Sequence, residues 1–284
     1  MTPIRTLALS AAVLVAGTAQ AQAQAANAPP LVVYSAGSMV GALGAMLDRY
    51  TAETGRKTEL HTGPAGLMLG RIEAGDRVDV FVSANMEHPQ KLTAEHKSTP
   101  TIVFARNRIC VSARPEVGLT SDNLLDKMLD PKIRIGTSTP KADPGGDYAW
   151  ELFDKAGTVR PGAAETLKAK ARQVAGGSIE PRAPKNAPPP PPSTALDSLV
   201  KEQIDVTIGY CSGHTTKQDA SVTRVQLPAN LAFPVNYGMT VLTTSGDLAR
   251  QEAADRLGLY LMSPDAQAMM IPYGFIPVAN VSKN

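Results

Sequence analysis

Aromatic residues make up only 5% of this 284-residue chain, with a single tryptophan. That scarcity argues against a surface built to stack nucleic-acid bases. An excess of one charge is missing as well. Lys and Arg number 28 against 26 Asp and Glu, a formal net charge of +2, so nothing draws the chain to nucleic acid or to an anionic membrane. The 4 histidines, at positions 61, 88, 96 and 214, form no His-Glu-x-x-His pattern, and the 2 cysteines form no Cys-x-x-Cys pattern. Cys211 and His214 stand three apart, a two-ligand fragment too small to make a metal site. Gly209-Tyr210-Cys211-Ser212-Gly213 puts a serine near a strand end but lacks the Gly-x-Ser-x-Gly spacing of a nucleophile elbow. No apolar run reaches the roughly 20 residues that cross a bilayer. These absences leave no cofactor, metal or nucleophile implied.

The first segment stands apart from the rest. Arg5 supplies a positive start, Leu7 to Ala16 an apolar run of secretory length, and Thr18 to Ala25 alternates small residues with glutamine. That is a cleavable signal over residues 1–25, and it predicts export to the periplasm. No cysteine follows it to carry a lipid anchor. Export raises the question of a disulfide. Cys110 lies in the strand-like Ile109-Cys110-Val111, and Cys211 ends Val206-Thr207-Ile208-Gly209-Tyr210. A disulfide between neighbouring strands, two separately buried thiols, and a reactive thiol are the three readings.

Strand and helix signals alternate, which argues for an α/β architecture with parallel sheets. Val32, Val33 and Tyr34 give way to Ser35, Ala36, Gly37 and Ser38, and Val80, Phe81 and Val82 give way to Ser83 and Ala84. A buried parallel strand reads this way when it delivers a tight turn into a helix. The spacing of Leu43, Met46, Leu47 and Tyr50 predicts a helix over Val40–Thr54, stopped by Gly55. Further helices are expected over Leu67–Glu73, Ser121–Leu129, Asp147–Ala156, Ala163–Ala171, Asp247–Met262 and Asp265–Ile271. Five consecutive prolines, Pro188 to Pro192, break the regularity and predict a polyproline-II loop over 181–193.

Three small-residue turns each precede a helix: Ser35 to Ser38, Gly63 to Gly66 and Pro144 to Gly146. Taken singly, each is an ordinary capped turn. As a set across two βαβ units they suggest a cleft in which backbone N–H and hydroxyl groups hold an anion at helix N-termini.

With these turns in place, the chain resembles the periplasmic molybdate-binding proteins of ABC importers. The resemblance rests on Ala36-Gly37-Ser38-Met39, on Gly63-Pro64-Ala65-Gly66-Leu67 followed by Arg71-Ile72-Glu73-Ala74-Gly75, and on Asp79 to Ala84. It continues through Phe104 to Arg108, Asp143 to Ala149, Ile208-Gly209-Tyr210, and the tail from Ser263 to Phe275. It implies a two-lobed type II periplasmic binding fold, each lobe a central, mostly parallel sheet flanked by helices, joined by a two-strand hinge. Lobe 1 would span 27–104 and 234–284, and lobe 2 would span 105–233, with hinges near Phe104–Ala105 and Phe233–Val235. The implied ligand is a small oxyanion of the molybdate or tungstate type, and the implied partner is a membrane permease that meets a monomer. Ser38 would donate a hydroxyl and an N–H, Gly145 an N–H, and Tyr210 its phenol. Two positions depart from the family pattern. Ala65 stands where a second serine is expected, and a further contact falls near Pro192, which has no N–H. Together with His61, these departures leave open a larger solute such as an organic acid or a metal complex. A secreted enzyme or adhesin reusing the fold is a third reading.

Overall fold

The computed structural model describes residues 28–177, 198–199, 201–212, 222–243 and 246–280. The expected signal segment, the proline loop with Pro192, and His214 lie outside the described residues.

The chain opens with β1 (Leu31–Ala36), buried at five of six positions as a central strand should be. A 3-10 turn over Gly37–Met39 leads into α1 (Val40–Thr54), whose buried face is Leu43, Met46, Leu47 and Tyr50. Gly55 ends it in the left-handed conformation, φ 72°. Next come β2 (Thr58–Gly63), α2 (Ala65–Glu73), β3 (Val80–Ser83), α3 (Glu87–Ala94) and β4 (Ile102–Asn107). One residue later the chain enters a second sheet through β5 (Ile109–Ala113). It continues as α4 (Leu124–Leu129), β6 (Ile135–Ser138), α5 (Pro144–Val159), α6 (Ala163–Lys170), β7 (Arg172–Ala175), β8 (Val206–Tyr210) and β9 (Thr223–Gln226). The return to the first sheet brings β10 (Val235–Val241), α7 (Leu248–Leu261), α8 (Pro264–Ala268) and β11 (Ile276–Pro277).

The first sheet has the order β11-β4-β10-β3-β1-β2 and the second β7-β6-β8-β5-β9. Parallel pairing is confined to β1 with β2 and β3, and to β6 with β7 and β8. Each sheet is nonetheless mostly parallel in strand direction, as expected, with only β10 and β11 reversed in the first and only β5 in the second. The reason for the reversals is topological. Strands that follow or precede a crossing, β4, β10 and β11 in one sheet and β5 and β9 in the other, take antiparallel neighbours.

One device fixes register in both sheets. Asp79, just before β3, donates its N–H to Val32 O and accepts Val32 N–H at 2.6 Å, while Arg250 holds the same carboxylate through two 2.7 Å bonds. Asp205, just before β8, donates its N–H to Arg134 O, accepts Arg134 N–H at 2.8 Å, and is gripped by the guanidinium groups of Arg134 and Arg114. Each aspartate ties the start of one parallel strand to its neighbour. Gln267, fully buried in α8, performs a similar task at the far edge. Its amide donates to Phe104 O and Leu261 O and accepts from Val278 N–H, so every major polar valence is met.

Candidate functional site between the sheets

The residues that meet between the sheets come from strand ends and helix starts. Ser38 lies in the turn after β1, and its Oγ is 2.8 Å from the hydroxyl of Tyr237 on β10. Tyr237 is fully buried, which pushes its phenol pKa upward and keeps it neutral. Asn107, the last residue of β4, donates from Nδ2 to Tyr237 OH at 3.2 Å and to Ser212 Oγ at 2.6 Å. The Arg108 N–H on Asn107 Oδ1 fixes which way that amide points. Groups from both sheets thus form one chain of neutral donors.

Tyr210, at the end of β8, stands edge-on to Tyr237 with ring centroids 5.6 Å apart. Its hydroxyl is buried and has no hydrogen-bond partner of normal geometry. The Tyr237 hydroxyl is a neighbour that helps raise the Tyr210 pKa, after burial, but Ser38 and Asn107 already engage it. Tyr148 of α5 sits edge-on to Tyr210 and stacks on Phe233, and its own hydroxyl crosses to the first sheet, donating to Ala84 O at 3.0 Å.

The other two expected residues are helix starts. Ala65 is fully buried at the first position of α2, whose N-cap, Pro64, offers no side-chain bond. Gly145 lies in the first turn of α5, but its N–H donates to Asp143 Oδ1 at 3.0 Å. That carboxyl is pushed up by burial, while the Gly145 N–H and the Ser138 hydroxyl pull it back down. The first turn of α2 meets the segment entering α5 through Gly66 N–H on Ala142 O at 3.0 Å. The structure therefore sets Ser38 and Tyr210 against the same residue, Tyr237, and places Ala65 and Gly145 at two helix N-termini beside an inter-sheet contact.

Cys110 and Cys211 are joined in a disulfide with an S–S distance of 2.03 Å, which leaves no free thiol to react. The bond links β5 to the residue between Tyr210 and Ser212. His61 contacts Tyr34 and Glu59, not the Ser38 cluster. Among the described residues no three His, Cys, Asp or Glu side chains could hold a metal, and no helix is long and apolar enough to cross a membrane.

Sequence reasoning missed Tyr237 and the hydrogen bonds that Asn107 makes to it and to Ser212. Tyr237 reads as one more apolar position in β10. Asn107 falls between two strand-like runs in the sequence, and only the structure shows it as a buried amide that closes β4 and so needs partners.

From residue 31 to residue 276 the chain matches the family model described as bacterial extracellular solute-binding protein. The chain belongs to the bacterial extracellular solute-binding proteins. An uncharacterized protein of Pasteurella multocida (strain Pm70) is 34% identical to this solute-binding protein over 189 residues, which is 66% of this chain and 76% of that one. Among solved structures, the periplasmic molybdate-binding protein of Azotobacter vinelandii superposes with a TM-score of 0.68 at 17% identity, covering 88% of this chain and 100% of its own. The sulfate-binding protein of Mycobacterium tuberculosis H37Rv gives 0.68 at 17% identity, with 88% of each chain covered. At such identities the likeness speaks for the fold of this solute-binding protein, a two-sheet type II periplasmic binding fold, and not for its ligand.

Proposed function

We propose that this solute-binding protein is the periplasmic component of an ABC importer and captures a small oxyanion, of the molybdate or tungstate type, in the cleft between its lobes. The lobes follow the expected division, 27–104 with 234–284 and 105–233, except that the first crossing moves from Phe104–Ala105 to Arg108, because β4 stays paired in the first sheet as far as Asn107; the return crossing stays near Phe233–Val235. Closure on the ligand is then a population shift that an inner-membrane permease reads from a monomer. The reading assigns binding and no turnover.

The observation that carries it is the Tyr210 hydroxyl, a buried donor with no hydrogen bond of normal geometry, whose neighbouring acceptor, the Tyr237 hydroxyl, is already engaged by Ser38 and Asn107. A buried polar group left unmade costs about 1–3 kcal/mol, and a ligand oxygen would recover it. Neutral donors can hold an anion without a costly buried counter-charge. Ser38 is itself a link of the chain of neutral donors, and the reading adds the N–H groups in the first turns of α2 and α5 as further donors of the same kind.

One feature favours a second reading. Asp143 puts a carboxylate on Gly145 N–H, where a dianion would otherwise sit. A less highly charged solute, such as a small organic acid, suits that neighbourhood better than a tetrahedral dianion.

The test is a calorimetric panel of molybdate, tungstate, sulfate, phosphate and small carboxylates on the purified protein. Micromolar or tighter molybdate binding that strengthens about tenfold with Ala65→Ser supports the first reading. Binding of a carboxylate with no heat from any inorganic oxyanion replaces it with the second.

A further inference from the structure

Gly66 is the second residue of α2, and the segment between β6 and α5 lies directly against it. A Cβ built on Gly66 would stand 2.2 Å from Lys141 O and 2.8 Å from Ala142 O. Both obstacles are backbone, so no rotamer change relieves them. Gly70, one turn further along the same helix, has nothing within 4 Å of its equivalent position. The requirement for glycine is thus local to the contact and is not a property of the helix.

The opposing segment is braced. Thr139 donates its N–H and its hydroxyl to Ala175 O at 2.9 and 3.0 Å, and Asp143 N–H closes back onto Thr139 O at 3.0 Å. At its tip Lys141 holds φ at 68°, a conformation uncommon outside glycine, asparagine and aspartate, and its N–H is fixed by Asp147 Oδ1 at 2.8 Å. A strained, braced tip therefore presents two carbonyls to a bare helix start in the other sheet's half of the molecule. Ala65 and Gly145 lie within three residues of that contact.

We infer that Gly66 and the Lys141–Ala142 carbonyls form the closing contact of the two lobes, and that residue 66 is a positioning residue whose lack of a side chain sets how far the cleft shuts. The inference rests on the proposed capture of ligand by lobe closure. It adds that the separation of the α2 and α5 N-termini is fixed by a backbone-to-backbone stop, not by the ligand alone. Any side chain at residue 66 holds the lobes apart. Because apparent affinity scales with the closed fraction, a tenfold loss of that fraction weakens binding about tenfold.

The experiment measures lobe separation directly. Spin labels at Ala52→Cys and Glu165→Cys, exposed positions on α1 and α6, report the distance distribution by pulsed dipolar spectroscopy in the full chain. The expected result is a shift of Gly66→Ala to longer distances, with Gly70→Ala superimposable on the parent. A Gly66→Ala distribution identical to the parent overturns the inference. If Gly66→Ala fails to fold, Lys141→Gly serves instead. It frees the strained tip while keeping its carbonyls and should keep the short-distance population, whereas a longer distance overturns the inference. A molybdate titration runs in parallel. Spectroscopic opening in Gly66→Ala without molybdate binding to any variant leaves the closing contact standing and removes the oxyanion reading.

Discussion

Tyr210→Phe should move stability and affinity in opposite directions. The substitution removes one oxygen that is buried with no hydrogen bond of normal geometry and leaves the ring contacts with Tyr148 and Tyr237 in place. An unsatisfied buried polar group costs about 1–3 kcal/mol, so the ligand-free protein should gain on the order of 1 kcal/mol. For a chain of this size that is a rise of roughly 2–4 °C in Tm. In the proposed complex the same hydroxyl would donate to an anionic oxygen, and losing that bond should cost about 1.5–3 kcal/mol, or about tenfold to a hundredfold in Kd. Tyr260→Phe is the matched control, because its hydroxyl is also buried without a partner but packs against Tyr50. It should raise Tm in the same way and leave Kd untouched. Scanning calorimetry and titration calorimetry on the two variants give both numbers. A Tyr210→Phe protein that melts lower, or binds its ligand as tightly as the parent, refutes the reasoning.

Three further outcomes follow from the ion pairs and the disulfide. Arg250→Met strands the Asp79 carboxylate at zero exposure and should cost about 3–5 kcal/mol in urea unfolding, with Asp79→Asn added to Arg250→Met recovering part of the loss. Asp205 is held down to about 2, first by its Arg134 hydrogen bond and then by the Arg134 and Arg114 charges. Its contribution is therefore present above the ordinary carboxylate value near 4 and lost as pH falls through 2; in Asp205→Asn that acid limb of the stability curve should flatten. Replacing Cys110 and Cys211 together by alanine opens a link spanning 101 residues and should lower stability by about 2–5 kcal/mol, read as a fall in Tm.

Much of the architecture was legible in the residues. The bounds of α1 coincide with expectation because an apolar stripe and a left-handed glycine mark its face and its end. The helix α3 was not foreseen: Glu87–Ala94 is polar, carries Pro89 inside it, and buries only Pro89 and Leu92. The strands β7, β9 and β11 also escaped, since edge strands of two to four residues have no two-sided burial to pattern. For the site, the turn at Ser38 was visible because local chemistry makes it. The chain Ser38–Tyr237–Asn107–Ser212 was not, because its links span 199, 130 and 105 residues and only the crossing strands bring them together.

The two aspartate tethers differ in when their partners arrive. Arg114 and Arg134 both precede Asp205, and the whole five-stranded sheet is drawn from 109–226, so a chain emerging N-terminus first has every strand and cation of that sheet before its tail appears. Asp79 instead waits for Arg250, and β4 waits for β10 and β11, its two neighbours. The first sheet begins first and finishes last. Until the final fifty residues are made, its central edge at β3 is open and a buried carboxylate has no counter-charge, which is the interval in which this protein most needs protection from its own kind.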